Sequence, residues 1–190
     1  MLSKRRVFFA LVLPEEIKKY LHQLRNQWDK NYKNIRWTSE ENYHITLHFF
    51  GDIETSELLR ISQLAKEPGL PIAAFETQVE GIGYFPNEKA ARILWAGIAQ
   101  EGDQKVNLLY ECLRLRIQKA GFPVEDRPFH AHITLGRSLP HQSICQTYPH
   151  KAEEEIRSTP ARITHFAIFE SRLRHDRANY EILETFPLQG

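Results

Sequence analysis

One tetrapeptide occurs twice in this chain. His44-Ile45-Thr46-Leu47 returns as His132-Ile133-Thr134-Leu135, 88 residues further on. In each copy a single apolar residue separates His from Thr, within a segment rich in aromatic and β-branched residues. Such a segment reads as a strand, and strand side chains alternate between two faces. His and Thr therefore share one face of each strand, and Ile and Leu share the other. The chain must fold so that two strands bury one face each while the opposite faces carry an imidazole and a hydroxyl.

The pattern around the two copies is also repeated. Residues 6–13 form an apolar run that predicts a strand, after which Pro14 opens a helix with Glu15 and Glu16 in its first turn, running to about Trp28. The first motif lies in a predicted strand over 43–51, followed by an amphipathic helix over 55–66, a strand over 71–79 and a loop over 81–90. A strand over 92–99, a helix over 104–120 closed by Gly121 and the second motif strand over 128–137 come next. Glu153-Glu154-Glu155 reads as solvated, 161–170 and 180–188 as strands, and 172–179 as a polar loop. Strands near Val7 and Phe75 recur near Ile93 and Ile163, close to the spacing of the motifs. The expected fold is α+β: a bilobal, pseudo-twofold duplicated fold with two antiparallel sheets flanking a cleft and helices on the outer faces. All 190 residues are expected in a single two-lobed domain, its motif strands 43–51 and 128–137 facing across the cleft.

Composition sets further limits. Twenty-five Lys and Arg against 24 Asp and Glu leave a formal net charge of +1, so an anionic ligand must be held by a local cluster. Cys112 and Cys145 have no metal-type spacing and read as free thiols of a reducing compartment. No apolar run reaches the ~18–20 residues of a membrane helix. The apolar stretch 7–13 is followed by Pro14-Glu15-Glu16 without a small-residue cleavage site, which favours a strand over a signal peptide. The expected location is the cytoplasm and the expected state a monomer.

His44 and His132 are the candidate catalytic residues. An imidazole titrates near pH 6.5, so one can accept a proton while the other donates one. Opposed placement of two such groups suffices for an in-line displacement at a phosphodiester. Thr46 and Thr134, on the same faces, can donate to non-bridging phosphate oxygens. Arg137 is a third phosphate-binding candidate, but strict alternation turns it away from His132 unless the strand bulges near Gly136. Trp37, Phe50 and Tyr84 can stack on a base or serve as core. Arg172, Arg174, His175 and Arg177 form either a solvated loop or a phosphate-steering rim. A competing zinc reading uses His130 with His132, and His44 with His48, but lacks a third ligand of diagnostic spacing.

The segments HITLHFFG from His44 and HITLGR from His132 resemble the two-histidine phosphoesterase superfamily, most closely the RNA 2′,3′-cyclic phosphodiesterases, also called 2′-5′ RNA ligases. The segment 6–14, the turn 81–86, residues 92–97, Phe169-Glu170-Ser171 and the closing Tyr180 to Leu188 extend the resemblance over nearly the whole chain. Ala131 stands where that family usually has Pro, and 174–179 lacks an expected glycine. The resemblance implies hydrolysis of an RNA or nucleotide 2′,3′-cyclic phosphate to a 2′-phosphate, with His44 as proton donor and His132 as proton acceptor. It implies no metal or nucleotide cofactor, RNA ends as partner, and a related 2′-5′ joining reaction. The motifs leave open a substrate such as 2′-5′ oligonucleotides, or a module that binds RNA without turnover.

Overall fold

The computed structural model describes residues 4–70, 72–146, 156–174 and 177–189. Among these, twelve strands and three α-helices follow in the order β1 (Arg5–Val12), α1 (Glu15–Trp28), β2 (Tyr32–Lys33), β3 (Ile35–Trp37), β4 (His44–Ile53), α2 (Thr55–Lys66), β5 (Phe75–Thr77), β6 (Val79–Phe85), β7 (Ile93–Ile98), α3 (Gln100–Lys119), β8 (Ile133–Ser138), β9 (Cys145–Gln146), β10 (Ala161–Ile163), β11 (His165–Arg174) and β12 (Arg177–Pro187).

Eight of these strands form one continuous sheet with two antiparallel arms. The first arm runs β12-β11-β1-β4, and the second runs β8-β7-β6 with β3 on the free side of β8. They meet where β4 and β8 touch at one residue pair, Ile45 with Ile133. The two halves are interlaced: β6, from the first half, pairs with β7, and β11, from the second, pairs with β1. Each arm is thus completed by the other half's strand. The short pair β5–β10 joins the halves again.

The outer faces carry the main core. Phe9, Leu11, Ile45, Ile133 and Phe166 of the sheet are buried together with Ile17 and Leu21 of α1, Ile61 of α2, and Leu109, Leu113 and Ile117 of α3. Glu54 and Glu57 start α2 with a capping box, the Glu57 carboxylate accepting the Glu54 backbone N–H at 2.9 Å. A smaller cluster of Phe8, Ala10, Ala167 and Phe169 lies on the opposite face of the first arm, toward the cleft.

Several local expectations are corrected. The stretch 81–90, read as a loop from its glycines, is mostly strand β6. Gly81 sits at a register shift with φ +72°, and Gly83 lets the Trp95 indole lie on the backbone, where a Cβ would overlap the ring. Helix α3 starts at Gln100, because Gly102 lets its first turn press on Thr77. The strand expected over 71–79 is only β5 and the first residue of β6, and 161–170 divides between β10 and β11. The second motif strand begins at Ile133, so His132 stands at its threshold. The polar stretch 172–179 is a hairpin whose arms pair Arg172 with Asn179 and Leu173 with Ala178. Glu153-Glu154-Glu155 and His175 fall outside the described residues.

Candidate active site

The single pair Ile45–Ile133 organises the site. In an antiparallel pair the residues on either side of a matched couple lie opposite one another. His44 therefore neighbours Thr134, and His132 neighbours Thr46. All four side chains sit on the face that Ile45 and Ile133 do not use, with the two imidazoles on a diagonal. Cross-strand neighbours on one face are separated by about 5 Å between Cβ atoms, which gathers the four groups on one face around the seam.

Both imidazoles are held alike. Nδ1 of His44 lies 2.7 Å from the Asn42 carbonyl, and Nδ1 of His132 lies 2.7 Å from the His130 carbonyl. A carbonyl only accepts, so each Nδ1 carries the hydrogen and each neutral ring keeps its lone pair on Nε2. Nε2 of His44 accepts from the Thr46 hydroxyl at 3.0 Å. The Asn42 side chain donates to the Ala178 carbonyl at 2.8 Å and accepts the Tyr180 N–H at 3.1 Å, tying the β11–β12 hairpin to the histidine's support.

Each ring is also walled by aromatic groups. Phe8, Phe169 and Tyr180 surround His44 with centroids at 5.0, 5.8 and 5.1 Å. Phe85 and Trp95 flank His132 at 5.0 and 6.2 Å. Burial in these walls disfavours the imidazolium and lowers the His44 pKa to about 4, with Arg137 and His132 adding to the effect against the support of the Asn42 carbonyl. Burial likewise lowers the His132 pKa, joined by His130 and Arg137. Both rings are neutral at pH 7 in the free protein.

Arg137 reaches the site by the bulge its position required. Trp95 pairs with Thr134 but Leu94 with Gly136, so Leu135 is an extra residue that reverses the alternation. The first motif strand has the same device at Leu47, since Phe9 pairs with His48 and Ala10 with Thr46. Phe49 and Arg137, each five residues past its histidine, are thereby turned to corresponding places in the two halves. Both line a cavity of about 730 Å³ together with His44, Thr46 and Tyr180. His132 and Thr134 lie across the β4–β8 seam from its wall.

Other expectations resolve differently. Trp37 donates its indole N–H to Asp29 at 2.6 Å, Phe50 packs on Phe9, and the Tyr84 hydroxyl meets that of Tyr32 at 3.1 Å, and none of the three lines the cavity beside His44. The aromatic groups lining the cavity are Phe8, Phe49 and Tyr180, of which Phe49 is turned inward by the bulge at Leu47. Arg172 lines the cleft but is bound to Glu170 at 2.7 Å and Glu181 at 3.1 Å. Arg5 also grips Glu170 and, with Arg172, holds its pKa down to about 2. The side chains of Arg174 and Arg177 lie outside the described residues, as does that of Cys145, while Cys112 is a free thiol. For the zinc reading, His130 rests edge-on against Trp95 at 4.7 Å and His48 is buried beside Phe50 at 4.5 Å. Among the described residues no three His, Cys, Asp or Glu side chains are grouped to hold a metal ion, and no helix is long and apolar enough to cross a membrane.

The interlaced halves and paired histidines define a duplicated two-histidine phosphoesterase, and comparison with known proteins agrees. The profile described as LigT like Phosphoesterase matches residues 11–95 and again residues 97–180, once in each half. The chain belongs to this family. It is 31% identical over 192 residues to the RNA 2′,3′-cyclic phosphodiesterase of Thermotoga maritima, covering 97% of this chain and 96% of that one. The enzyme of the same name from Geobacillus stearothermophilus is 28% identical over this whole chain, which spans 59% of that protein's length. Among solved structures, one from Thermus thermophilus superposes with a TM-score of 0.78 at 28% identity over 97% of this chain and 98% of that one. E. coli LigT complexed with 3′-AMP superposes at 0.76 and 25% identity over 98% and 99%.

Proposed function

We propose that this phosphoesterase hydrolyses RNA and nucleotide ends bearing a 2′,3′-cyclic phosphate to 2′-phosphates, without a metal. The observation that carries this reading is the matched support of His44 and His132: each Nδ1–H is committed to a backbone carbonyl, which leaves each Nε2 for proton transfer. His132, neutral, takes a proton from the attacking water. The new P–O bond forms as the bond from phosphorus to the 3′-oxygen breaks, and His44, protonated at Nε2, gives that oxygen its proton. Thr46, Thr134 and Arg137 hold the non-bridging oxygens as charge gathers on them. A low-pKa His44 becomes an acid once the anionic phosphate enters, because a negative charge nearby favours the imidazolium. With an RNA 5′-hydroxyl in place of water, the same steps give a 2′-5′ linkage.

The names of the relatives support the substrate class, and the 3′-AMP complex of LigT is a nucleoside monophosphate bound to a protein of this fold. The test is an assay of the purified protein with 2′,3′-cyclic nucleotides and a short RNA with a cyclic end, in excess EDTA, with phosphorus NMR of the product. Sole formation of 2′-phosphate is the expected result. Absence of product, or product only when zinc is restored, overturns it.

A further inference from the structure

Asn42 bridges two strands that lie at opposite ends of one arm. In the order β12-β11-β1-β4 three steps separate β12 from β4, about 14 Å across a flat sheet. The register separates them lengthwise as well. Tyr180 pairs with Ser171, whose neighbour Glu170 lies opposite Val7, whereas His44 lies opposite Val12. That stretch of β1 spans about 16 Å. Yet the Asn42 amide, two residues before His44, donates to the Ala178 carbonyl at 2.8 Å and accepts the Tyr180 N–H at 3.1 Å. The Tyr180 ring stands 5.1 Å from that of His44. The arm is therefore rolled, and the hairpin lies diagonally over the cleft face with Phe8 and Phe169 inside the roll.

The amide takes the place of a strand neighbour. Ala178 and Tyr180 are alternate residues of β12 and turn the same edge outward. β12 is the end strand of its sheet, so among the described residues no strand covers that edge. Asn42 is 8% exposed, so its bonds to the hairpin are shielded from competing water. Asparagine carries a donor and an acceptor side by side, aspartate acceptors only and alanine neither. The carbonyl of the same residue holds Nδ1 of His44. Its main chain thus fixes the ring, and its side chain fixes the wall over the ring. The other half has the first device in a different setting: at the position 88 residues on, the His130 carbonyl holds His132, while the His130 ring rests on Trp95.

We propose that Asn42 is a positioning residue: it clasps the β11–β12 hairpin over His44, so that the ring meets the departing oxygen with Nε2 aimed and its flank shielded from water. The inference rests on the cyclic phosphodiesterase reading and deepens it, by assigning the alignment of the acid to a side chain that touches no substrate.

The test compares the wild type with Asn42→Ala. Histidine titration by NMR needs no turnover. It is expected to move the His44 midpoint up by about one unit as water reaches the ring, and to leave His132 in place. His132 and Arg137 face the ring from β8, Thr46 from β4 and Tyr180 from β12, and Phe8 and Phe169 cover it from β1 and β11; the substitution alters none of them. With a 2′,3′-cyclic nucleotide, the kcat/KM profile should shift to higher pH while maximal kcat falls about tenfold. In the wild type itself, hydrogen exchange at the Tyr180 N–H should be slow, as for an amide inside a sheet. An unmoved His44 midpoint, equal shifts of both histidines, an unchanged kcat, or a freely exchanging Tyr180 N–H in the wild type overturns the proposal. A shifted midpoint in a protein whose wild type hydrolyses no cyclic substrate supports the clasp on His44 and overturns the hydrolase reading instead.

Discussion

Ile45 pairs with Ile133, and this one couple is both the joint between the two arms and the centre of the local twofold symmetry. Each motif histidine and threonine stands one residue to either side of it. The buried methyl groups on one face thus fix the diagonal of imidazoles on the other.

In the proposed mechanism, removal of either imidazole takes away its half of the proton transfer. His44→Ala and His132→Ala are each expected to lower kcat by about 10²–10⁴, the usual contribution of general acid–base catalysis. Both rings stand on the cleft face, away from the helix-covered faces, so circular dichroism should show the fold retained. A fully active His132→Ala protein contradicts the mechanism.

The pH dependence follows from the direction of the shifts. In the proposed mechanism His44 must be protonated to act as acid, and its pKa in the free protein is held down to about 4; that of the proposed base, His132, is lowered as well. The profile of kcat/KM should therefore peak on the acid side of neutrality and fall as pH rises from about 6 to 8. Its limbs describe the pair of imidazoles together. In kcat, measured on the complex, the alkaline limb should lie higher because the phosphate stabilises the imidazolium. Arg137→Gln removes a charge that lowers both rings and should move the kcat/KM limbs upward. An optimum above neutral pH for the wild type contradicts this.

Stability toward acid should depend on His48. It is buried beside Phe50, and burial lowers its pKa against weaker opposing effects of Glu125 and the Pro123 backbone. The unfolded chain takes up this proton near pH 6.5 and the folded protein only below that, so stability is complete above about pH 6.5 and declines as pH falls. The lowered His44, His132 and His165 act in the same direction. Urea midpoints at about pH 7 and about pH 5 should differ less in His48→Leu than in the wild type. An unchanged difference assigns the acid sensitivity to the other histidines.

Gly83→Ala probes the wall of the second histidine. Its new methyl group would overlap the Trp95 ring, and forced repacking of this kind costs about 1–3 kcal/mol. Trp95 in turn flanks His130 and His132. The variant should lose both stability, seen in the urea midpoint, and activity, with a changed near-ultraviolet spectrum of the indole. A wild-type midpoint refutes the tight contact.

The sequence disclosed the motif histidines and threonines because alternation is local: one residue between His and Thr puts them on one face. It also disclosed helix α2 to the residue, where the amphipathic pattern is unbroken. It misread β6, because Gly81 and Gly83 are used for a register shift and for an indole's close approach, and neither partner is near in sequence. Arg137 showed itself only as a conditional candidate, the condition being a bulge that the structure places at Leu135. Phe49 was hidden by the matching bulge at Leu47, though a shift by 88 residues from Arg137 would have found it. The exchange of strands between halves leaves no local trace, since β1 and β11 are separated by most of the chain.

That exchange has a kinetic side. As the chain emerges during synthesis, β1 can pair with β4 early, but its other edge stays open until β11 has been made. An unpaired edge next to Phe8 and Phe9 is a place where another chain can add, and contacts this distant in sequence slow folding. The strand that finally closes that edge also carries Phe169 to the ring of His44. The open, self-adhesive chain and the chain whose proposed acid, His44, still lacks part of its aromatic wall are therefore one and the same species, and a single late event ends both conditions.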